Sequence, residues 1–177
     1  MQGIKIILLS VVSAVLYGIV HDQVTARVCV EYFTIAHPPV FHTQSPTLLA
    51  FGWGVIATWW VGLLLGIPLA ACARIGPAPR LDARKLLAPI RGLLLLMAAS
   101  SILFGLCGYG MAKSHTIALN PYWFTLIPGE KHDRFLADAW AHLAAYGSGI
   151  GGGLVLCAWV IWKRMRAVKA ESAAAAV

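Results

Sequence analysis

The chain has 177 residues, of which 59% are hydrophobic and 12% are charged, and its mean hydropathy is +0.75. Soluble domains are about half apolar and about a quarter charged, so this composition excludes an ordinary soluble enzyme, a disordered chain and a disulfide scaffold. The net charge of +7 resembles that of a nucleic-acid binder, but the basic residues flank apolar runs, so we predict a lipid bilayer and no nucleic acid as partner.

Apolar runs predict how often the chain crosses a membrane. A helix needs about 20 apolar residues to cross the hydrocarbon core. Four runs approach or exceed this length, at about residues 4–22, 48–73, 92–112 and 139–162. We therefore predict an all-α integral membrane protein, one membrane domain with four transmembrane helices in a bundle. The first run is the shortest, and Val24-Thr25-Ala26 resembles a cleavage site, so a cleaved signal segment is the alternative.

The positions of the basic residues predict the orientation. Ten of the 14 lie near the N-terminus, in the loop 74–91 and in the tail 163–177, whereas the loops 23–47 and 113–138 hold the other four. Basic loops stay on the cytoplasmic side. Both termini and the loop 74–91 are therefore predicted in the cytoplasm of a bacterial-type inner or plasma membrane.

The two loops predicted on the outer side are rich in aromatic and aliphatic residues, among them Phe33, Phe41 and Trp123. Because loops of this composition do not stay in water, we expect them to pack on each other and on the membrane as a cap. Residues 23–35 either continue the first helix or form a strand, since their β-branched content favours neither alone.

The outer side also carries most of the reactive side chains. By this topology it holds all six histidines and five of the seven acidic residues. None of the predicted spans has an ionisable residue near its centre, which disfavours a pump or an ion-coupled transporter. Chemistry is therefore expected at the outer rim.

Asp138 and His142 form the first candidate pair, at the start of the fourth helix. Their spacing of four puts a carboxylate and an imidazole on one face, where they bind one metal ion or where Asp138 holds the His142 tautomer. Tyr146 lies four residues further along the same stripe. The alternative is an acid favoured by the helix dipole next to a hydrogen-bonded histidine.

His21 and Asp22 form the second cluster, at the outer end of the first span. Glu31 and His37 follow in the sequence and would complete a site for zinc, iron, copper or manganese. For Glu31, an ion pair with Arg27 is an equally good interpretation if the segment is helical. The Pro-Pro pair after His37 places that residue in a turn.

Three classes of function remain open at this stage. The leading hypothesis is a His and carboxylate site that binds a transition metal and acts on a small or lipophilic substrate, with Asp22 or Glu31 as proton acceptor. The second is an electron-transfer protein in which His21 and His142 are the axial ligands of a haem. The third is a non-catalytic subunit that binds partner subunits or a second copy through glycine-rich helix faces such as Gly62-x-x-x-Gly66.

Overall fold

The structure is a computed structural model that describes residues 1–174. In this part of the chain all regular structure is helical, and the elements are α1 (Gln2–Val28), α2 (Val30–Thr34), α3 (Pro46–Ile56), α4 (Trp59–Arg74), α5 (Ala83–Lys113), α6 (Pro121–Leu126), a 3₁₀ turn (Gly129–Lys131) and α7 (His132–Ala174).

Within residues 1–174, four helical stretches are long and apolar enough to cross a membrane: Gln2–Val28, Pro46–Arg74, Ala83–Lys113 and Gly129–Ala173. The prediction of an all-helical chain with four such stretches is confirmed at this level. Residues 175–177 of the predicted tail lie outside the described residues.

The helices extend well beyond the apolar runs that predicted them. α5 begins at Ala83, where the Asp82 side chain accepts a hydrogen bond from the Lys85 backbone N–H at 3.1 Å. This cap starts the helix inside the basic segment, because a carboxylate satisfies one of the free N–H groups of the first turn. The predicted loop 74–91 is therefore reduced to residues 75–82.

Residues 23–28 and 30–34 are helical, so the strand alternative is wrong. α1 continues to Val28, the backbone of Cys29 is extended, and α2 starts at Val30. The interruption lets the chain turn towards α7 at the end of α1.

The second span is interrupted at Ala57 and Thr58, between α3 and α4. The Thr58 hydroxyl donates to the Gly54 carbonyl, and the Thr58 backbone N–H turns to the Val55 carbonyl at 3.3 Å. The break lies about 16 Å along the helix from Pro46, at a rise of 1.5 Å per residue. Interrupted backbone within an apolar stretch needs hydrogen-bond partners from neighbouring helices or from a polar cavity.

Glycines bring the helices together in two antiparallel pairs. α1 packs on α3 and α4, where a Cβ at Gly54 would lie 2.6 Å from the Ile19 Cα and a Cβ at Gly62 would lie 2.6 Å from the Val11 Cα. α5 packs on α7, where a Cβ at Gly108 would lie 2.8 Å from the Trp140 ring. We call the space between the two pairs the seam.

The two ends of the long helices are held by different chemistry. At the end we call basic, the guanidinium of Arg164 donates to the backbone carbonyls of residues 72, 75, 78 and 79 and so fixes the turn between α4 and α5. At the opposite end, which we call the histidine end, Cys29 packs against Ile127 and Phe135. The predicted outer loops therefore contact each other at the histidine end.

Candidate metal centre

Three side chains converge in the seam near the histidine end. The Oδ1 atom of Asp22 lies 3.0 Å from Nδ1 of His21 and 3.4 Å from Nε2 of His142, and the three ligand atoms lie within 4.8 Å of one another. Their side chains are only 7%, 8% and 12% exposed, respectively. The cluster is thus largely shielded from solvent.

Close helix packing on both sides of the seam positions these groups. Gly18 precedes His21 by three residues, and a Cβ there would lie 2.7 Å from the Gly54 carbonyl oxygen. On the other side, the Ala141 Cβ lies 3.2 Å from the position that a Cβ would take on Gly105. Larger residues at these glycines would displace the helices that carry His21 and His142 from their neighbours within each pair.

The hydrogen bond of His142 determines which of its two ring nitrogens faces Asp22 with a lone pair. Its Nδ1 atom lies 2.8 Å from the backbone carbonyl oxygen of Asp138. A carbonyl only accepts, so Nδ1 carries the hydrogen, and in a neutral ring Nε2 then directs a lone pair at Oδ1 of Asp22. Two lone pairs 3.4 Å apart repel unless a cation lies between them, which is either a proton on Nε2 or a metal ion.

The second nitrogen of His21 is also bonded. Its Nε2 atom lies 2.9 Å from Oγ of Ser101, a serine of α5 that is 5% exposed. A hydroxyl accepts as well as donates, so Ser101 can accept a hydrogen bond from Nε2–H of His21, which leaves the Nδ1 lone pair directed at the Asp22 carboxylate. Metal-binding histidines commonly have a hydrogen-bond acceptor at the nitrogen that does not bind the metal.

One separation suits a first-row transition metal, because the 3.4 Å between Nε2 of His142 and Oδ1 of Asp22 equals the spacing of two ligand atoms that are each about 2.1 Å from a tetrahedral ion. Two imidazoles and one carboxylate are donors used by zinc and by non-haem iron, and three protein ligands leave coordination positions open. The open side faces a cavity of about 90 Å³, whose lining includes Tyr17, His37, Trp53, Val61 and Tyr146.

The structure places Asp138 and Tyr146 next to the cluster. Asp138 is 1% exposed. Its backbone carbonyl accepts the hydrogen bond from Nδ1 of His142 and so fixes the tautomer of that ring. Among the described residues, its Oδ2 atom has no hydrogen-bond partner. The Tyr146 hydroxyl donates to the Ala57 carbonyl at 3.2 Å, so it satisfies the backbone at the break in the second span.

Glu31 lies apart from the cluster and pairs with Lys131 at 3.3 Å. Burial alone would raise the pKa of Glu31, but its own backbone N–H, the Cys29 thiol and the Lys131 ammonium together hold that pKa below its usual value. The expected ion pair with Arg27 is wrong, because that guanidinium binds the Gln23 side chain at 2.7 Å and Oγ1 of Thr47 at 2.8 Å.

His37 lies in the cavity wall opposite the cluster, outside the long helices. Its Nδ1 donates to the Tyr32 carbonyl at 2.8 Å, and its ring stacks on Phe33 and contacts Trp53. Burial lowers the pKa of His37. The ring is therefore held neutral as part of an aromatic wall.

The contact between His21 and His142 does not fit the haem hypothesis. The two ring centroids are 4.6 Å apart and the planes are perpendicular. Axial ligands of one haem lie on opposite faces of the macrocycle, and this edge-to-face contact leaves no space for a macrocycle between the rings.

Ser101 and the break at Ala57 and Thr58 are the features that sequence analysis missed. No spacing pattern in the sequence links Ser101 to His21, which lies 80 positions earlier. The sequence offers one signal for the break, because Thr58 follows Gly54 by four residues within an apolar run. This signal is weak.

The fold and the site together define a helical protein with a buried cluster of two histidines and a carboxylate. No protein-family model, no curated protein and no solved structure matches the chain. Function is therefore argued from the site itself.

Proposed function

We propose that the protein is an integral membrane protein that binds one transition-metal ion through Nδ1 of His21, a carboxylate oxygen of Asp22 and Nε2 of His142. The observation that carries this proposal is the contact between Nε2 of His142 and Oδ1 of Asp22, which is repulsive unless a proton or a metal ion lies between the two atoms. The hydrogen bonds from both histidines to Ser101 and to the Asp138 carbonyl support it, because they leave the ligand nitrogens free for the ion.

The proposed topology places the four long helices across the bilayer as a bundle, with the basic end in the cytoplasm. The concentration of lysines and arginines at that end supports this orientation. The metal ion then lies below the opposite membrane surface, about 10 Å inside the end of α1, since His21 precedes Val28 by seven residues.

A divalent ion with an open position polarises an oxygen of a bound substrate or lowers the pKa of a bound water. Here the three ligand side chains line the cavity of about 90 Å³, so the substrate would reach the ion through that cavity and not between the ligands. Asp22 is a ligand in this proposal and is not a free proton acceptor. Zinc and iron are the two ions that the donor set fits best, and metal analysis separates them.

The test is elemental analysis of protein purified in mild detergent without chelator. Wild-type protein is expected to hold close to one equivalent of iron or zinc, and Asp22→Asn and His142→Gln are expected to lose most of it. Asp133→Asn is the matched control, because it removes the same charge from a residue of α7 that is paired with the exposed Lys113.

Circular dichroism of each variant checks that the helices remain formed. Equal metal content in wild type, Asp22→Asn and His142→Gln would contradict the proposal. Wild-type protein that takes up neither iron nor zinc on reconstitution would also contradict it and would assign the cation between His142 and Asp22 to a proton.

A further inference from the structure

A second cavity continues the seam towards the basic end. It has a volume of about 70 Å³ and is lined by residues of α1, α4, α5 and α7, with leucines, glycines and methionine in its walls. Ser10 and Ser13 are the hydroxyl residues of this lining, and Ser10 donates to the Ile6 carbonyl of its own helix at 3.0 Å. Water has few partners there, and cavities of this kind stay dry and accept apolar ligands.

The apolar cavity adjoins the cavity at the metal centre. Ala14, Val61, Met97 and Gly149 line both. The two cavities therefore meet at these four residues.

The walls of the apolar cavity can give way without a backbone movement. A Cβ at Gly149 would lie 3.0 Å from Cε of Met97, and a Cβ at Gly153 would lie 3.0 Å from Cδ1 of Leu65. The atoms that narrow the cavity are thus the ends of flexible side chains, which face glycines on α7.

We propose that the two cavities hold one amphiphile, with its small oxygen-bearing head group at the metal ion and its hydrocarbon chain in the apolar cavity. This inference rests on the proposed metal site and names the substrate class of that site. Leu156 lies 14 residues beyond His142 on α7, so the two adjoining cavities together extend over about 20 Å along that helix.

The experiment uses full-length protein loaded with cobalt(II), whose visible spectrum reports on its coordination, and two chelating probes. Acetohydroxamic acid supplies the head group alone, and dodecanohydroxamic acid adds a long chain. Each methylene that enters the cavity should tighten binding by up to about fourfold, less what the detergent micelle offsets. Dodecanohydroxamic acid is therefore expected to bind wild-type protein more tightly.

Two variants block the chain and leave the ligands in place. Ser13→Phe from α1 and Leu93→Trp from α5 each fill the apolar cavity, and the matched controls Val12→Phe and Leu95→Trp place the same side chains on exposed positions of the same helices. The blocking variants should weaken the long-chain probe by about tenfold or more and change the short-chain probe by no more than about twofold, because only buried methylenes are lost.

Three outcomes would count against the inference. Equal binding of both probes to wild type, or an unchanged preference for the long chain in both blocking variants, would overturn it and leave the metal site standing. Wild-type protein that binds no cobalt(II) would overturn the metal site and the inference with it.

Discussion

The hydroxyl of Tyr146 donates a hydrogen bond to the backbone carbonyl of Ala57, across the seam between α7 and the break in the second span. The carbonyl would otherwise face an apolar interior, where an unpaired backbone group is costly. The same contact ties the broken helix to the helix that carries His142. The break and the metal centre are therefore parts of one arrangement.

Tyr146→Phe removes this donor and keeps the ring. We expect a loss of about 1–3 kcal/mol of stability, because the Ala57 carbonyl is left without a partner. Thermal unfolding in detergent measures the effect, and Tyr122→Phe, at a position that is 64% exposed, is the control. Equal melting temperatures of the two variants would show that the Ala57 carbonyl does not depend on Tyr146.

Ser101→Ala removes the partner of Nε2 of His21. Loss of an acceptor behind a metal-binding histidine typically lowers metal affinity by about 10–100-fold, because the ring loses its orientation and basicity. Competition with a chromogenic chelator measures the affinity. Ser100→Ala, one position away, is expected to keep the wild-type value, and a similar loss in both would argue for a general packing effect.

Asp138→Asn distinguishes two roles for this residue. If the carboxylate binds the metal, as the spacing to His142 predicts, the variant loses metal. The structure assigns the contact to the backbone carbonyl, which asparagine retains, so we expect metal content to stay at the wild-type level. Depletion comparable to that of Asp22→Asn would return Asp138 to the ligand set.

His37 should make stability depend on pH. Burial lowers its pKa in the folded protein below the usual value of 6.5. The folded state therefore favours the neutral ring, so the stabilisation is complete above about pH 6.5 and is lost as pH falls through the folded pKa. Melting temperatures at about pH 7.5 and about pH 5.5 are compared for wild type and His37→Phe.

The wild-type protein is expected to lose more stability on acidification than His37→Phe does. The difference between the two proteins isolates His37, because the other histidines are present in both. A parallel decrease in the two proteins would assign the acid sensitivity to another group.

The long helices could be predicted because each contains an apolar run of the length that a bilayer requires. Their ends could not be predicted in the same way, since local contacts determine them. The Asp82 side chain caps α5 within a basic segment, and the second apolar run is interrupted at Ala57 and Thr58. Hydropathy indicates neither feature.

The sequence predicts the part of the site whose histidines and carboxylate lie near the same end of the long helices. His21, Asp22 and His142 come together as the topology indicated, although they are far apart in sequence. Glu31 was not predictable, because its partner Lys131 depends on how two loops meet. Ser101 was not predictable either, because a single hydroxyl in an apolar helix gives no periodic signal.

The seam also divides the chain into two consecutive halves. His21 and Asp22 come from the half that ends with α4, His142 comes from the half that begins with α5, and residues 75–82 are the connection. An ion bound across the seam would therefore link the two halves of the chain. By thermodynamic linkage, the factor by which a bound ion strengthens the association of the halves equals the factor by which their association strengthens ion binding, and two separately expressed fragments would recover the centre only on reassembly.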